Sequence, residues 1–140
     1  MASKNMETLL NLIGGADFKQ DRTSPEFQQM MAEVFAPDIE VHEPPCLPHG
    51  GVHRGRENWF KVRATMMELW DQKLDVQNIW EVPDAGVIIL NYMMDWTGKA
   101  TGRSVRIPAI EVLTFRDGAI AKIEFFPQDA KLILDTLEAT

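Results

Sequence analysis

The chain has 140 residues, of which 45% are hydrophobic and 25% are charged. This composition is typical of a globular protein, and we expect one domain, residues 1–140, with its own core. The 21 acidic and 14 basic residues give a net charge of −7, which disfavours nucleic acid as the main partner because phosphate binding requires a basic surface. The single cysteine, Cys46, excludes an internal disulfide framework.

The sequence contains no apolar run of about 18 residues, so no membrane-spanning segment is expected. Residues 1–7 include an acidic side chain and no long apolar stretch, which is not the pattern of a secretory signal. We therefore expect a cytoplasmic protein without a membrane partner.

The first third of the chain predicts two helices and a strand. Apolar residues at helical spacing predict a first helix that ends at Gly14-Gly15. Ser24-Pro25 has the pattern of an N-cap and a first helical position, and we expect this second helix to end at Pro37. Ile39, Val41 and Glu43 alternate with polar residues, as in a short strand. The Pro- and Gly-rich segment 44–51 predicts a loop.

The rest of the chain predicts a helix, a run of strands and a closing helix. The third helix extends from Gly55 to about Trp70. Turn sequences separate four strand-like runs, at about 74–82, 87–96, 104–115 and 119–127, and an amphipathic helix begins near Ala130. Helices followed by an antiparallel meander predict an α+β fold, in which the sheet and the helices enclose a space.

The turn at Asp117-Gly118 sets the pairing of the last two strands. We expect a three-residue loop with a bulge, which pairs residue 111 with residue 123. Ile123 and Phe125 then face the enclosed space, and Glu111 lies on the same apolar face. Alternation in the run 87–96 places Tyr92, Met94 and Trp96 inward. Its outward face is also rather apolar, which predicts a homodimer interface.

Two segments of the chain resemble the nuclear transport factor 2-like (NTF2-like) superfamily. The first is Phe35–Pro44 (FAPDIEVHEP) followed by Gly55-Arg56-Glu57; the second is Thr101-Gly102-Arg103 followed by 110–115 and 117–120. The superfamily includes ketosteroid isomerases, limonene epoxide hydrolases, scytalone dehydratases and SnoaL-like polyketide cyclases. The resemblance extends over nearly the whole chain. It implies a cone in which a curved antiparallel sheet wraps around N-terminal helices, with a short C-terminal helix.

The resemblance implies a familiar scaffold with different site residues. Glu43 matches the position at which ketosteroid isomerases have the aspartate that moves the proton. The oxyanion hole of those enzymes is not matched, because the stretch near Ile107-Pro108 has no acid. The Asp-Arg-Asp set of the epoxide hydrolases falls on Tyr92, Met94 and Phe125. Phe125 also stands where SnoaL-like cyclases have a histidine.

Three side chains are candidates for catalysis. Glu43 should lie at the rim of the enclosed space, where an apolar environment raises the pKa of a carboxyl, and it is the candidate base; the alternative is an exposed loop acid or an N-cap partner. Glu111, if it is inside and protonated, could donate a hydrogen bond to a developing oxyanion. The alternative is an outward Glu111 near Lys122 or Arg103. Tyr92, the only phenol, could donate to a substrate oxygen or point to the surface.

Large apolar side chains are expected to line a substrate pocket, although the same residues could fill a solid core. The apolar residues are Trp59, Met66, Trp70, Met94, Ile107, Ile123 and Phe125. His53 is expected to bind substrate as a lid residue over the pocket. His42, His49 and His53 match no standard metal-site spacing, and His49 and His53 are expected in a flexible loop, so no metal is expected. We expect no cofactor, because the sequence has no glycine-rich phosphate loop or nucleotide fingerprint.

These features predict a cofactor-free acid–base enzyme that isomerises, cyclises or dehydrates a hydrophobic, oxygen-bearing small molecule. A polyketide-, terpenoid- or steroid-like ring system would fit. Two alternatives remain open: the addition of water to an epoxide, with Glu43 activating the water, and a small-molecule binding protein without catalysis.

Overall fold

The computed structural model describes residues 3–15 and 24–138, which form four helices and six strands in these two ranges. The helices are α1 (Lys4–Gly15), α2 (Pro25–Val34), α3 (Arg56–Leu69) and α4 (Ala130–Asp135). The strands are β1 (Phe35–Glu43), β2 (Gly51–Arg54), β3 (Trp70–Val82), β4 (Val87–Gly98), β5 (Ser104–Arg116) and β6 (Ala119–Pro127).

The strands form one curved, open sheet in the order β2-β1-β6-β5-β4-β3. Neighbouring strands are antiparallel, except that β1 and β6 run parallel. The predicted α+β fold is thus confirmed, with the strands largely in a meander. Within the two described ranges, no helix combines the length and apolar character needed to cross a membrane.

The second helix and first strand meet earlier than the sequence predicted. Ser24 caps α2 as expected, because its hydroxyl accepts a hydrogen bond from the backbone N–H of Phe27. The helix already ends at Val34, and Pro37 lies inside β1 rather than at the helix end. The strand tolerates this proline because its pairing with β6 is irregular between Phe35 and Glu40. Strand β2 was not predicted, and β3 begins four residues before the expected start.

The β5–β6 hairpin corrects the predicted register while preserving the predicted faces. Asp117 (φ 52°) and Gly118 (φ 81°) form a two-residue turn, with both residues in the left-handed region that such hairpins favour. An irregularity between Thr114 and Phe115 then shifts the pairing by one residue, so that Glu111 pairs with Phe125 rather than with residue 123. Because this error is an even number of residues, Glu111 still faces the interior, as predicted.

The core lies between the concave face of the sheet and helices α1 to α3. Trp70 and Trp96 are 2% and 1% exposed and meet edge to face, with ring centroids 5.2 Å apart. The indole N–H of Trp70 donates a hydrogen bond of 2.7 Å to the Thr136 hydroxyl, which attaches the C-terminal segment to the core. This packing closes one end of the interior and leaves a cavity nearer to α1.

Candidate active site

A cavity of about 210 Å³ lies inside the cone, between α1 and α3 on one side and the sheet on the other. Apolar residues form most of its wall: Leu9, Leu12, Ile13, Phe35, Trp59, Met66, Leu74, Leu90, Met94, Trp96, Leu113, Ile120, Ile123 and Phe125. The five polar residues that line it are Glu43, Arg63, Gln72, Tyr92 and Glu111. Such a cavity, apolar with a few convergent polar groups, is typical of a small-molecule site.

Glu43 is the last residue of β1 and is only 8% exposed. Pro44 ends the strand directly after it, which fixes the carboxyl at the edge of the cavity. Its Oε2 atom makes no hydrogen bond with any described residue. Burial, together with the nearby charge of Glu111, raises the pKa of Glu43 to about 8. At neutral pH this group is therefore mainly a protonated acid.

Glu111 lies in the middle of β5, opposite Leu90 on one side and Phe125 on the other. Burial raises its pKa to about 7, while the charge of Arg63 and the hydrogen bond with Tyr92 act in the opposite direction. The side chain keeps some accessible surface because it borders the cavity. Glu111 thus has two neighbours that favour its ionised form, which Glu43 lacks.

The Tyr92 side chain projects from β4 into the cavity wall and is 3% exposed. Its ring stacks on Phe125, with centroids 6.5 Å apart and planes inclined by 13°. Burial and the charges of Glu111 and Glu43 raise the pKa of the phenol well above its usual value. The hydroxyl therefore remains protonated, and it donates its hydrogen bond to Glu111.

His49 lies behind Glu43, in the loop that connects β1 to β2. Contrary to the expectation of a flexible loop, its ring is 4% exposed and packs edge to face against Trp70, with centroids 5.5 Å apart. Its Nε2 is 3.7 Å from Glu43 Oε2, and neither ring nitrogen makes a hydrogen bond with a described residue. Burial and the nearby His53 lower the pKa of His49 to about 4, so the ring is neutral at pH 7.

The cavity includes five of the eight residues that the sequence suggested for substrate binding: Trp59, Met66, Met94, Ile123 and Phe125. Trp70 does not line it, because its indole is held between His49, Trp96 and Thr136. Ile107 is packed in the core and 2% exposed. His53 is not a lid residue: its Nε2 donates a hydrogen bond of 2.8 Å to the backbone oxygen of His49 and so fastens the loop.

Sequence reasoning missed two polar residues of the cavity, Arg63 and Gln72. Arg63 is four residues after Trp59 and three before Met66 on α3, and this helical spacing, which places all three on one face, was the signal that could have found it. Gln72 was overlooked because β3 was expected to begin at residue 74. In the ranges that the structure describes, no group of three His, Cys, Asp or Glu side chains is arranged to hold a metal ion.

The comparisons with known proteins agree with this architecture. The family model described as "SnoaL-like domain" matches residues 26–123. A protein of Jannaschia sp. CCS1, proposed to be a SnoaL-like polyketide cyclase, has a similar structure with a TM-score of 0.79 at 16% identity, covering 98% of this chain and 93% of that one. An NTF2-like protein of Burkholderia thailandensis E264 gives 0.77 at 21% identity, covering 99% of each chain.

A third similar structure is TerC crystallised with polyporic acid, with a TM-score of 0.79 at 17% identity, covering 98% of this chain and all of TerC. No protein of curated function matches the sequence. The structural matches, all of low identity, agree in fold with the family match. Since that match spans well over half of the chain, the protein belongs to the SnoaL-like family of the NTF2-like superfamily.

Proposed function

We propose that the protein is a cofactor-free acid–base enzyme that isomerises, cyclises or dehydrates a hydrophobic ring compound bearing a carbonyl oxygen. The observation that carries this proposal is the convergence of Glu43, Glu111 and Tyr92 on one otherwise apolar cavity. Both carboxyls have pKa values raised into the neutral range, where a group can give or take a proton with least loss of driving force.

The two carboxyls divide the chemistry between them, in the reverse of the roles that the sequence suggested, because the neighbours of Glu111 favour its ionised form. Glu111, whose carboxylate is supported by Tyr92 and Arg63, removes a proton from the carbon next to the carbonyl. Glu43, protonated at neutral pH, donates its proton to the carbonyl oxygen as the enol forms. One C–H and one O–H bond break while two O–H bonds form, so the substrate stays neutral and the negative charge passes from Glu111 to Glu43. Glu111 then gives its proton to another carbon while the enol hydroxyl returns its proton to Glu43, which restores the carbonyl and both carboxyls and completes an isomerisation.

The size of the cavity narrows the substrate class. An engineered apolar cavity of about 150 Å³ binds benzene, so a volume of about 210 Å³ suits one ring or two small fused rings. A four-ring steroid exceeds this volume. The polyporic acid in the TerC crystal supports the view that this fold can hold an oxygenated ring compound.

Exchange of carbon-bound protons with solvent tests this proposal without knowledge of the natural substrate. We expect the protein to accelerate deuterium exchange at the α-carbons of 2-tetralone and 1-indanone in D₂O, followed by proton NMR. Glu111→Gln and Glu43→Gln should each lower the rate by at least about 100-fold. Glu68→Gln, which removes an exposed carboxylate from α3, is the matched control and should leave the rate unchanged.

Exchange no faster than in buffer, or less than a tenfold loss in both glutamine variants, would contradict the acid–base proposal. Tight binding of the ketones without exchange, unaffected by Glu43→Gln, would instead favour a small-molecule binding protein.

Exposed apolar residues on the outer face of the sheet support the proposal that two copies of the chain form a homodimer. Trp80 and Phe126 are 48% and 54% exposed on this face, and register places Ile89 beside Trp80 and Ile110 beside Phe126. Exposed aromatic residues flanked by aliphatic ones are typical of a homodimer interface. Light scattering at micromolar concentration should give twice the chain mass, and a monomer would count against this interface.

A further inference from the structure

His49 and Glu43 form a buried polar pair at the edge of the cavity. The Nε2 atom of His49 is 3.7 Å from Oε2 of Glu43, which is longer than a hydrogen bond. Both ring nitrogens of His49 and this carboxyl oxygen make no hydrogen bond with a described residue. Buried polar atoms without a partner destabilise the folded state, so three of them side by side call for a functional explanation.

The loop between β1 and β2 holds the imidazole beside this carboxyl. The backbone N–H groups of Leu47 and Gly50 donate hydrogen bonds of 3.1 and 2.8 Å to the backbone oxygens of Pro44 and Leu47, so the loop is tightly wound. It has no room for a side chain at Gly50, where a Cβ atom would lie 2.2 Å from the Pro44 oxygen. The ring of His49 packs against Trp70. The position of the imidazole is therefore fixed by its surroundings.

The proposed reaction creates a need for a hydrogen-bond donor at Glu43. When this residue gives its proton to the carbonyl oxygen, it becomes a carboxylate inside the protein, which is costly without a donor. Tyr92 and Arg63 favour the ionised form of Glu111, but neither favours that of Glu43. At this stage Glu111 has taken a proton from the ligand and no longer repels the new charge. The carboxylate of Glu43 then lacks only a donor.

We propose that His49 is a positioning residue that donates a hydrogen bond from Nε2 to the Glu43 carboxylate as the ligand takes the proton of Glu43. This inference rests on the proposed function, because it assigns His49 a part in the same proton transfer. His49 itself neither gains nor loses a proton. The O–H bond of Glu43 breaks, and the new O–H bond forms on the ligand oxygen.

A neutral imidazole suits this role. Burial and the nearby His53 on β2 lower the pKa of His49 to about 4, so at pH 7 the ring carries one hydrogen, which can lie on either nitrogen. No described group holds that hydrogen at Nδ1, so Nε2 can carry it. A shift of about 0.8 Å between the two side chains would bring Nε2 and Oε2 to the usual hydrogen-bond distance of about 2.9 Å.

The other charged and titratable groups near the pair come from three elements. Glu111 on β5 and Tyr92 on β4 interact electrostatically with Glu43. Arg63 on α3 lines the same cavity, and its charge acts on Glu111. These groups remain in place in variants of His49, so a change in the pKa of Glu43 in such a variant reports the loss of the imidazole.

The pKa of Glu43 in the ligand-free protein tests the hydrogen bond directly. Carbon NMR of the labelled carboxyls should show that His49→Phe, which keeps a ring against Trp70 but removes the donor, raises this pKa by about 1. His49→Gln can place its amide nitrogen near the position of Nε2 and should restore the wild-type value to within about 0.3. His42→Gln removes an imidazole that pairs with Glu40 instead, and should leave the pKa of Glu43 unchanged.

Deuterium exchange into 2-tetralone measures the catalytic consequence. His49→Phe should lower kcat at least about tenfold and leave KM within about twofold of the wild type, because His49 does not line the cavity. The alkaline limb of the pH–rate profile should move to higher pH by about 1, since that limb reports the proton on Glu43. His49→Gln should recover kcat to within about threefold of the wild type.

The outcomes separate this inference from the proposed function. An unchanged or lowered pKa of Glu43 in His49→Phe, or a loss of kcat that His49→Gln does not recover, would overturn the role of His49. If His49→Phe does not fold, His49→Leu takes its place in both measurements. A wild type that does not accelerate exchange, combined with a raised Glu43 pKa in His49→Phe, would overturn the proposed function while supporting the hydrogen bond.

Discussion

Strands β1 and β5 of the sheet each present a buried carboxyl to the cavity, but the surroundings of the two carboxyls differ. Glu43 lies at the end of a strand, with a neutral histidine 3.7 Å away and no hydrogen bond to its Oε2 from a described residue. Glu111 lies in the middle of the sheet, where Tyr92 donates a hydrogen bond and Arg63 supplies positive charge. Burial raises both pKa values, but the neighbours decide which carboxyl ionises first. The surroundings thus give two identical residues different pKa values.

The largest effect of this difference should appear in the pH dependence of stability. The pKa of Glu43 is about 8 in the folded protein, against 4.5 for the group in its ordinary state. The folded state therefore binds more protons at Glu43 between these values, so the contribution of Glu43 to the free energy of unfolding is highest below about pH 4.5 and falls as the pH rises towards 8. The loss attributable to Glu43 is on the order of 5 kcal/mol.

Glu43→Gln removes this pH-dependent loss of unfolding free energy, because the amide resembles the protonated acid in shape and cannot ionise. In urea denaturation the variant should match the wild type within about 1 kcal/mol near pH 5 and exceed it by at least about 2 kcal/mol near pH 8.5. Glu111→Gln should give a smaller gain, since Tyr92 and Arg63 already stabilise that carboxylate. A variant Glu43→Gln with the same pH dependence as the wild type would show that Glu43 is solvated.

A smaller effect is expected when the hydrogen bond to Glu111 is removed. In Tyr92→Phe the ring still stacks on Phe125, but the carboxylate loses its donor. A hydrogen bond to a charged group contributes about 1.5–3 kcal/mol, so the pKa of Glu111 should rise by about 1 unit towards that of Glu43. Carbon NMR of the labelled carboxyls across the pH range measures both values directly. An unchanged Glu111 pKa would mean that, of its two neighbours, Arg63 alone keeps this pKa below that of Glu43.

Much of the fold, and the sheet residues that face the cavity, were predictable from local sequence patterns. Alternation in β4 and β5 placed Tyr92 and Glu111 inward, and the hairpin error did not matter because a shift of two residues preserves the face. The proline after Glu43 correctly placed that residue at a strand end. These inferences needed only the periodicity of a strand and the chemistry of turns.

The surroundings of the carboxyls could not be predicted in the same way. His49 follows Glu43 by six positions, but its approach depends on how the loop folds back onto Trp70, which no periodic pattern specifies. Arg63 shares a face of α3 with Trp59 by its spacing, yet whether a long charged side chain reaches inward or outward depends on packing against Phe35 and Trp59. The electrostatic difference between Glu43 and Glu111 therefore arises from tertiary contacts that the sequence does not reveal.

The smallest predicted effect concerns His49, and it tests whether the Glu43 carboxyl has a hydrogen-bond partner in this ring. Both ring nitrogens are buried without a hydrogen bond to a described residue, and such groups destabilise a folded protein by about 1–3 kcal/mol each when unsatisfied. His49→Phe retains an aromatic ring against Trp70 and removes these nitrogens. We expect the free energy of unfolding to increase by about 1 kcal/mol near pH 7, after some loss from imperfect packing of the larger ring.

His49→Leu serves as a second variant in which the ring is absent, so that a packing defect of phenylalanine can be recognised. If both variants are instead destabilised and the pKa of Glu43 falls, the imidazole accepts a hydrogen bond from the protonated Glu43 carboxyl. In that case each carboxyl has one neutral partner: His49 favours the protonated form of Glu43, and Tyr92 favours the ionised form of Glu111. The two partners would then add to the difference that the charge of Arg63 makes.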